Sequence, residues 1–301
     1  MKIKKLKSLF FTVGVVFISS VFLTNPVEAK AYYAGGDNNV TLHSWNVNNF
    51  NGTSQNLWAR TTSSYLPKNI EGRTVAGDFN GDGKDEIAAF YDYSNAHTAI
   101  HLFMPDGSGN MTSKTAWDAP SFAASAIQYK VVAGDFDGDG KDEIATFYDY
   151  GNLKTALFLF KLDSNGQFSG SEVWQSPTFS GSCIVGVTAG DFNGDGKDEI
   201  SLIYDYGNNH TGMFEFKQAS SNKFTGRLAW ESNSCDGSRV KNKVVSGDYD
   251  GNKKAEIVMF YDYGNAKTSA WTLINNNDTY STKESWVAPS FDANAITGRV
   301  A

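Results

Sequence analysis

The sequence predicts an all-β chain, a β-propeller built of four-stranded blades, and three periodic features carry that prediction. An acidic segment recurs four times, as Gly77 to Ile87 (GDFNGDGKDEI), Gly134 to Ile144 (GDFDGDGKDEI), Gly190 to Ile200 (GDFNGDGKDEI) and Gly247 to Ile257 (GDYDGNKKAEI), with its first Asp spaced by 57, 56 and 57 residues. A tryptophan keeps the same beat at Trp58, Trp117, Trp174, Trp230 and Trp286, with intervals of 59, 57, 56 and 56. An aromatic run follows each acidic segment, with an Asn and then a Thr in fixed phase behind it: Asn95 and Thr98, Asn152 and Thr155, Asn208 and Thr211, Asn265 and Thr268. Self-similarity at a fixed period is the signature of a repeat architecture.

Within the second repeat the pattern reads as four short strands, Lys130 to Ala133, Glu143 to Tyr150, Thr155 to Lys161 and Ser171 to Gln175. Turn formers separate them, and no stretch shows helical periodicity. Four strands in about 57 residues is one propeller blade, whereas the coils of a linear β-solenoid, the competing reading, are shorter. Residues 32–76 read as a blade lacking its first strand and acidic loop, because Val40-Thr41-Leu42-His43 parallels Thr98-Ala99-Ile100-His101. Ile296 to Ala301 resembles the run Ile70 to Ala76 that leads into the first loop. The C-terminal strand is thus expected to complete the N-terminal blade of a five-bladed ring, or else the repeats belong to a larger, for example seven-bladed, propeller.

Residues 1–31 read as a secretory signal peptide: Lys2, Lys4, Lys5 and Lys7, then an apolar run from Leu9 to Leu23, then Ala29-Lys30-Ala31 as a cleavage pattern. The apolar run is short for a membrane-spanning helix. Residues 32–301 form the propeller domain. Removing the leader's five Lys and one Glu takes 26 basic and 33 acidic residues to 21 and 32, and the net charge from −7 to −11. Such a chain is a poor partner for nucleic acid or anionic membrane, so the expected partners are glycans or extracellular proteins. Cys183 and Cys235, the only cysteines, could pair in an exported chain or stay as separate thiols.

Numbered from the first Asp, positions 1, 3, 5, 7 and 9 of the acidic loops are Asp78, Asn80, Asp82, Lys84 and Glu86; Asp135, Asp137, Asp139, Lys141 and Glu143; Asp191, Asn193, Asp195, Lys197 and Glu199; and Asp248, Asp250, Asn252, Lys254 and Glu256. Alternating oxygen side chains on a tight turn can converge on one hard cation, with position 7 offering its backbone carbonyl. Gly83, Gly140 and Gly196 suit the sharp turn at position 6, and Lys253 does not. Position 8 is Asp85, Asp142, Asp198 and then Ala255, a variation that points it away from the ion. The second loop has the most carboxylates and is expected to bind more tightly than the fourth.

These loops resemble the FG-GAP repeats of integrin α-subunit propellers and the related VCBS repeats of bacterial exported proteins, over essentially all of residues 32–301. The resemblance implies that each loop joins the first two strands of a blade and holds Ca²⁺ through the residues named above, giving up to four structural ions.

No catalytic constellation is legible. His43, His97, His101 and His210 form no triad or metal pattern, and no G-x-S-x-G elbow occurs. A non-catalytic binding module is expected. The recurring Tyr91, Asp92, Tyr93 and Asn95, Tyr148, Asp149, Tyr150 and Asn152, Tyr204, Asp205, Tyr206 and Asn208, and Tyr261, Asp262, Tyr263 and Asn265 could bind sugar hydroxyls and stack on a sugar face, or could hold blades and turns together. Fungal lectins built from similar calcium-loop propellers bind sugars at repeated sites, so lectin-like recognition is one expectation. A protein-binding adhesion module, or an accessory domain of a longer exported enzyme, is the other.

Overall fold

The computed structural model describes residues 65–220 and 222–298, together with the backbone of four earlier strands. Five antiparallel sheets of four strands follow one another along the chain. The first comprises β1 (Val15–Ile18), β2 (Glu28–Ala34), β3 (Val40–Asn46) and β4 (Thr53–Arg60). Blade 1 comprises β5 (Thr74–Gly77), β6 (Glu86–Asp92), β7 (Thr98–Pro105) and β8 (Met111–Ala119). Blade 2 comprises β9 (Val131–Gly134), β10 (Glu143–Gly151), β11 (Lys154–Leu162) and β12 (Phe168–Ser176). Blade 3 comprises β13 (Ile184–Gly190), β14 (Glu199–Gly207), β15 (His210–Ser220) and β16 (Lys223–Ser232). Blade 4 comprises β17 (Val244–Gly247), β18 (Glu256–Gly264), β19 (Lys267–Asn276) and β20 (Thr279–Ala288). The architecture is the expected all-β propeller of four-stranded blades.

The expected parallel between residues 40–43 and 98–101 holds in the register. Leu42 pairs with Trp58 just before a bulge, as Ile100 pairs with Trp117. The first sheet also has four strands rather than the shortened set the repeats predict, because β1 and β2 supply two more. Both lie wholly or partly in the stretch that reads as a leader. The C-terminal residues 299–301, expected to complete a ring, lie outside the described residues.

The core sits between blades. Each blade is too thin to bury both faces alone, so apolar side chains of one sheet pack against the next. Trp117 of blade 1 meets Phe160 of blade 2 edge-on at 5.0 Å, and Trp174 of blade 2 meets Phe216 of blade 3 at 4.9 Å. Trp286 of blade 4 is 40% exposed. The core reading of the tryptophan series therefore holds at the junctions from blade 1 to blade 3. The first strands β5, β9, β13 and β17 stand side by side around a cavity of about 270 Å³ lined by small and β-branched residues.

Because consecutive strands are antiparallel, connections alternate between the two ends of each sheet. The acidic loops join the first two strands of each blade and occupy one end. The tyrosine hairpins join the second and third strands and occupy the other. Cys183 and Cys235 are both free thiols, partly buried in separate connectors.

Candidate metal loops and tyrosine hairpins

The four acidic loops share one backbone design. Asp78 accepts from Gly81 N at 2.7 Å, Asp82 N at 3.0 Å and Gly83 N at 2.7 Å, so the first carboxylate winds the loop around itself. Asp135, Asp191 and Asp248 do the same. The fourth loop keeps this winding despite Lys253, which adopts φ +71°, a left-handed conformation. At position 5, Asp82, Asp139, Asp195 and Asn252 each accept from the N–H of the position-7 lysine, Lys84, Lys141, Lys197 or Lys254.

The position-9 glutamates are the buried anchors. Glu86, Glu143, Glu199 and Glu256 are at most 5% exposed, and each uses Oε2 to accept from the backbone N–H of position 2. Oε1 is left for the loop interior. It accepts from Asn80 Nδ2 at 2.5 Å in the first loop and from Asn193 Nδ2 in the third. In the second it meets Lys161 Nζ at 3.0 Å. Asp135, Asp137 and Glu143 bring carboxylate oxygens within 4.8 Å of one another, as do Asp248, Asp250 and Glu256.

The electrostatics match a site built for a cation. Burial, reinforced by Asp82 and Asp78, pushes Glu86 up to about 7. Burial raises Glu143 to about 7, against the pull of Lys161, and Glu199 to about 8, against that of Lys217. Glu256 is raised by burial and by Asp250 and Asp248. Carboxylates crowded this way resist ionising together unless a positive charge joins them. Asn80 and Asn193 fit the same ion, because a half-turn of either amide puts Oδ1 where Nδ2 lies. The donors are all oxygens, the set a hard cation such as Ca²⁺ prefers over a softer metal.

In the second, third and fourth loops position 8 points away from its own loop, toward the preceding one. Asp142 N–H donates to the Asp78 carbonyl at 2.9 Å, while Asp142 Oδ2 accepts from Asp78 N–H at 2.9 Å. Asp198 repeats this two-point latch on Asp135. Ala255 keeps only the backbone half, on Asp191 at 2.8 Å. Gly77 and Gly134 precede the latched aspartates because a Cβ there would lie 2.5 Å from Asp142 or Asp198 Oδ2. Lys141, Lys197 and Lys254 lie across the position-4 glycines Gly81, Gly138 and Gly194 of the loop before. Neighbouring loops therefore form one belt along the blades, an arrangement that periodicity alone does not reveal.

The tyrosine hairpins separate into structural and exposed members. The first tyrosine faces the preceding connector: the hydroxyls of Tyr91, Tyr148 and Tyr204 accept from Leu66, Ala123 and Ser180 N–H. Tyr261 packs beside Arg239. Asp149, Asp205 and Asp262 close their turns by accepting from Gly151, Gly207 and Gly264 N–H, and Asp92 does so from Ser94 N–H. Asn95, Asn152, Asn208 and Asn265 hold left-handed φ values of 50–53° in those turns. The second tyrosine differs. Tyr93, Tyr150, Tyr206 and Tyr263 are 47%, 44%, 42% and 38% exposed. A basic or imidazole side chain lies on each ring: His97 at 4.9 Å, Lys154 at 4.6 Å, His210 at 4.4 Å and Lys267 at 4.6 Å. His97 and His210 bond Asp118 and Glu231 in turn. In each hairpin the second tyrosine and the Asn are exposed, while the first tyrosine and the Asp are tied into the fold.

The comparisons agree with this geometry. An FG-GAP-like repeat model matches residues 78–146, and an FG-GAP repeat model matches residues 128–169. No curated protein matches the sequence. Among solved structures, AofleA from Arthrobotrys oligospora is similar with a TM-score of 0.55 and 9% identity, over 90% of this chain and 72% of that one. A triple arginine-to-alanine mutant of AofleA is similar with a TM-score of 0.55 and 10% identity, over 90% and 73%. At that identity the likeness concerns the fold alone. Both family matches fall on the first two acidic loops and the strands of blades 1 and 2, so residues 78–169 carry FG-GAP repeats.

Proposed function

We propose that this chain is an exported, non-catalytic binding module, held together by calcium in its acidic loops, that recognises glycans through its exposed tyrosines. The observation that carries the reading is the repetition of Tyr93, Tyr150, Tyr206 and Tyr263 at the same end of four blades, each exposed and each flanked by a hydrogen-bonding base. An aromatic ring offers a face to the C–H side of a sugar, and the neighbouring His or Lys offers donors to its hydroxyls. Several weak copies on one scaffold gain by avidity. Among the described residues no helix is long and apolar enough to cross a membrane, and the leader read at residues 1–31 supports export.

The test is a glycan array with the wild type and a variant carrying Tyr93→Ala, Tyr150→Ala, Tyr206→Ala and Tyr263→Ala. More than half of each ring is covered by the fold, so the melting temperature of the variant is measured beside its binding. The wild type should bind at least one glycan class and the variant should lose it. An array without signal, with binding to a matrix protein retained, would refute the glycan reading in favour of a protein-binding adhesion module.

A further inference from the structure

The four loops are alike in sequence but not in what stands over their third and ninth positions. The third strand of each blade carries one residue there, at Met104, Lys161, Lys217 and Ile274, which the strand registers make equivalent. Met104 and Ile274 bring no charge. Lys161 Nζ reaches into the second loop, bonding Asp137 Oδ2 and lying 3.0 Å from Glu143 Oε1. Asp137 is 24% exposed at its side chain and Glu143 only 4%. Lys217 is drawn aside. Its ammonium is 3.2 Å from the fully buried Glu215 and 3.3 Å from Asp278, and 3.9 Å from Glu199 of the third loop.

We infer that Lys161 is the resident cation of the second loop: it pairs Asp137 and Glu143 in the metal-free chain and opposes a divalent ion that needs the same oxygens. This rests on the calcium reading of the loops and reverses the affinity order that carboxylate counting predicts. The second loop, although the most acidic, binds calcium more weakly than the fourth. An ammonium within hydrogen-bonding distance of two ligand carboxylates both occupies them and repels a second positive charge at close range. The second blade thereby stays folded when calcium is scarce, while the first and fourth loops respond to it.

The test uses the full chain and Lys161→Met, the residue that blade 1 already holds at this position. In EDTA the variant should melt below the wild type, since Asp137 and Glu143 lose their only close cation among the described residues. In millimolar calcium it should equal or exceed the wild type, and calorimetric titration should show one site tightened by about tenfold or more. Lys217→Met, which strips Glu215 of a partner, should lose stability equally in both conditions. Calcium uptake by the wild type with an unchanged isotherm for Lys161→Met, and the same melting decrement with and without calcium, overturns this inference alone. Absence of calcium uptake by the wild type and by both variants overturns the calcium reading with it.

Discussion

Thr155 offers the sharpest test of how each blade is tied to the next. It is the second residue of the third strand of blade 2, is fully buried, and donates from Oγ1 to the Phe179 carbonyl at 2.7 Å. Phe179 belongs to the connector toward blade 3, where its ring meets Trp174 at 5.7 Å and Tyr204 at 4.6 Å. The hydroxyl therefore fixes a residue that both blades pack upon. Thr98, Thr211 and Thr268 make the same bond to Phe122, Cys235 and Phe291. Thr155→Val keeps the shape and removes the donor. Stranding a buried carbonyl costs about 1–3 kcal/mol, and the added methyl returns at most about 0.8 kcal/mol. The net loss should be about 1–2 kcal/mol, or about 2–3 °C in melting temperature for a chain of this size. Thr155→Ser retains the donor and should cost less. Urea unfolding followed by tryptophan fluorescence in millimolar calcium measures both variants. A Thr155→Val protein as stable as Thr155→Ser would refute the reasoning, because the bond would then contribute nothing that shape does not.

Two further predictions concern the acidic loops. Lys253 holds φ +71°, where the other loops place Gly83, Gly140 and Gly196. Relief of left-handed strain, about 1–2 kcal/mol, outweighs the added chain entropy of glycine, so Lys253→Gly should stabilise the chain by about 0.5–1 kcal/mol in the same urea assay; no gain would show the strain absent. The buried carboxylates Glu86, Glu143 and Glu199 sit at about 7, 7 and 8, and Asp142 and Asp198 at about 6 and 7. Each is raised above its unfolded value, so the folded state holds the proton more tightly. Their stabilising contribution is complete below about pH 4 and is lost as pH rises to about 8. In EDTA the melting temperature should fall over that window, and calcium should flatten the fall; a flat profile in EDTA would contradict the assignment.

Much of this was legible in one sequence. The phase of acidic loop, aromatic run and tryptophan located all four described blades, and the strands of blade 2 fall within three residues of their expected ends. The convergence of acidic side chains in the second and fourth loops was legible because residues that alternate along a tight turn face its inside. The work of the hairpin residues was not. Tyr148 and Tyr150 are two residues apart on one strand and share a repeat, yet one bonds the preceding connector and the other faces solvent. Which tyrosine is buried depends on where the neighbouring blade lies, and no local pattern records that.

The loops mark the same division. Sequence by itself determined that four acidic turns exist, which oxygens they offer, and that the fourth departs at Lys253, because turn chemistry is set within a few residues. Tertiary structure alone decided that Asp142 and Asp198 latch one loop to the next and that Lys161 stands over the second loop while Lys217 is drawn to Glu215. Apart from Lys217 and Glu215, which are two residues apart on one strand, those contacts join residues 18 or more apart in the chain, and a periodic sequence writes Lys161 and Lys217 at equivalent places without saying which acid each will reach.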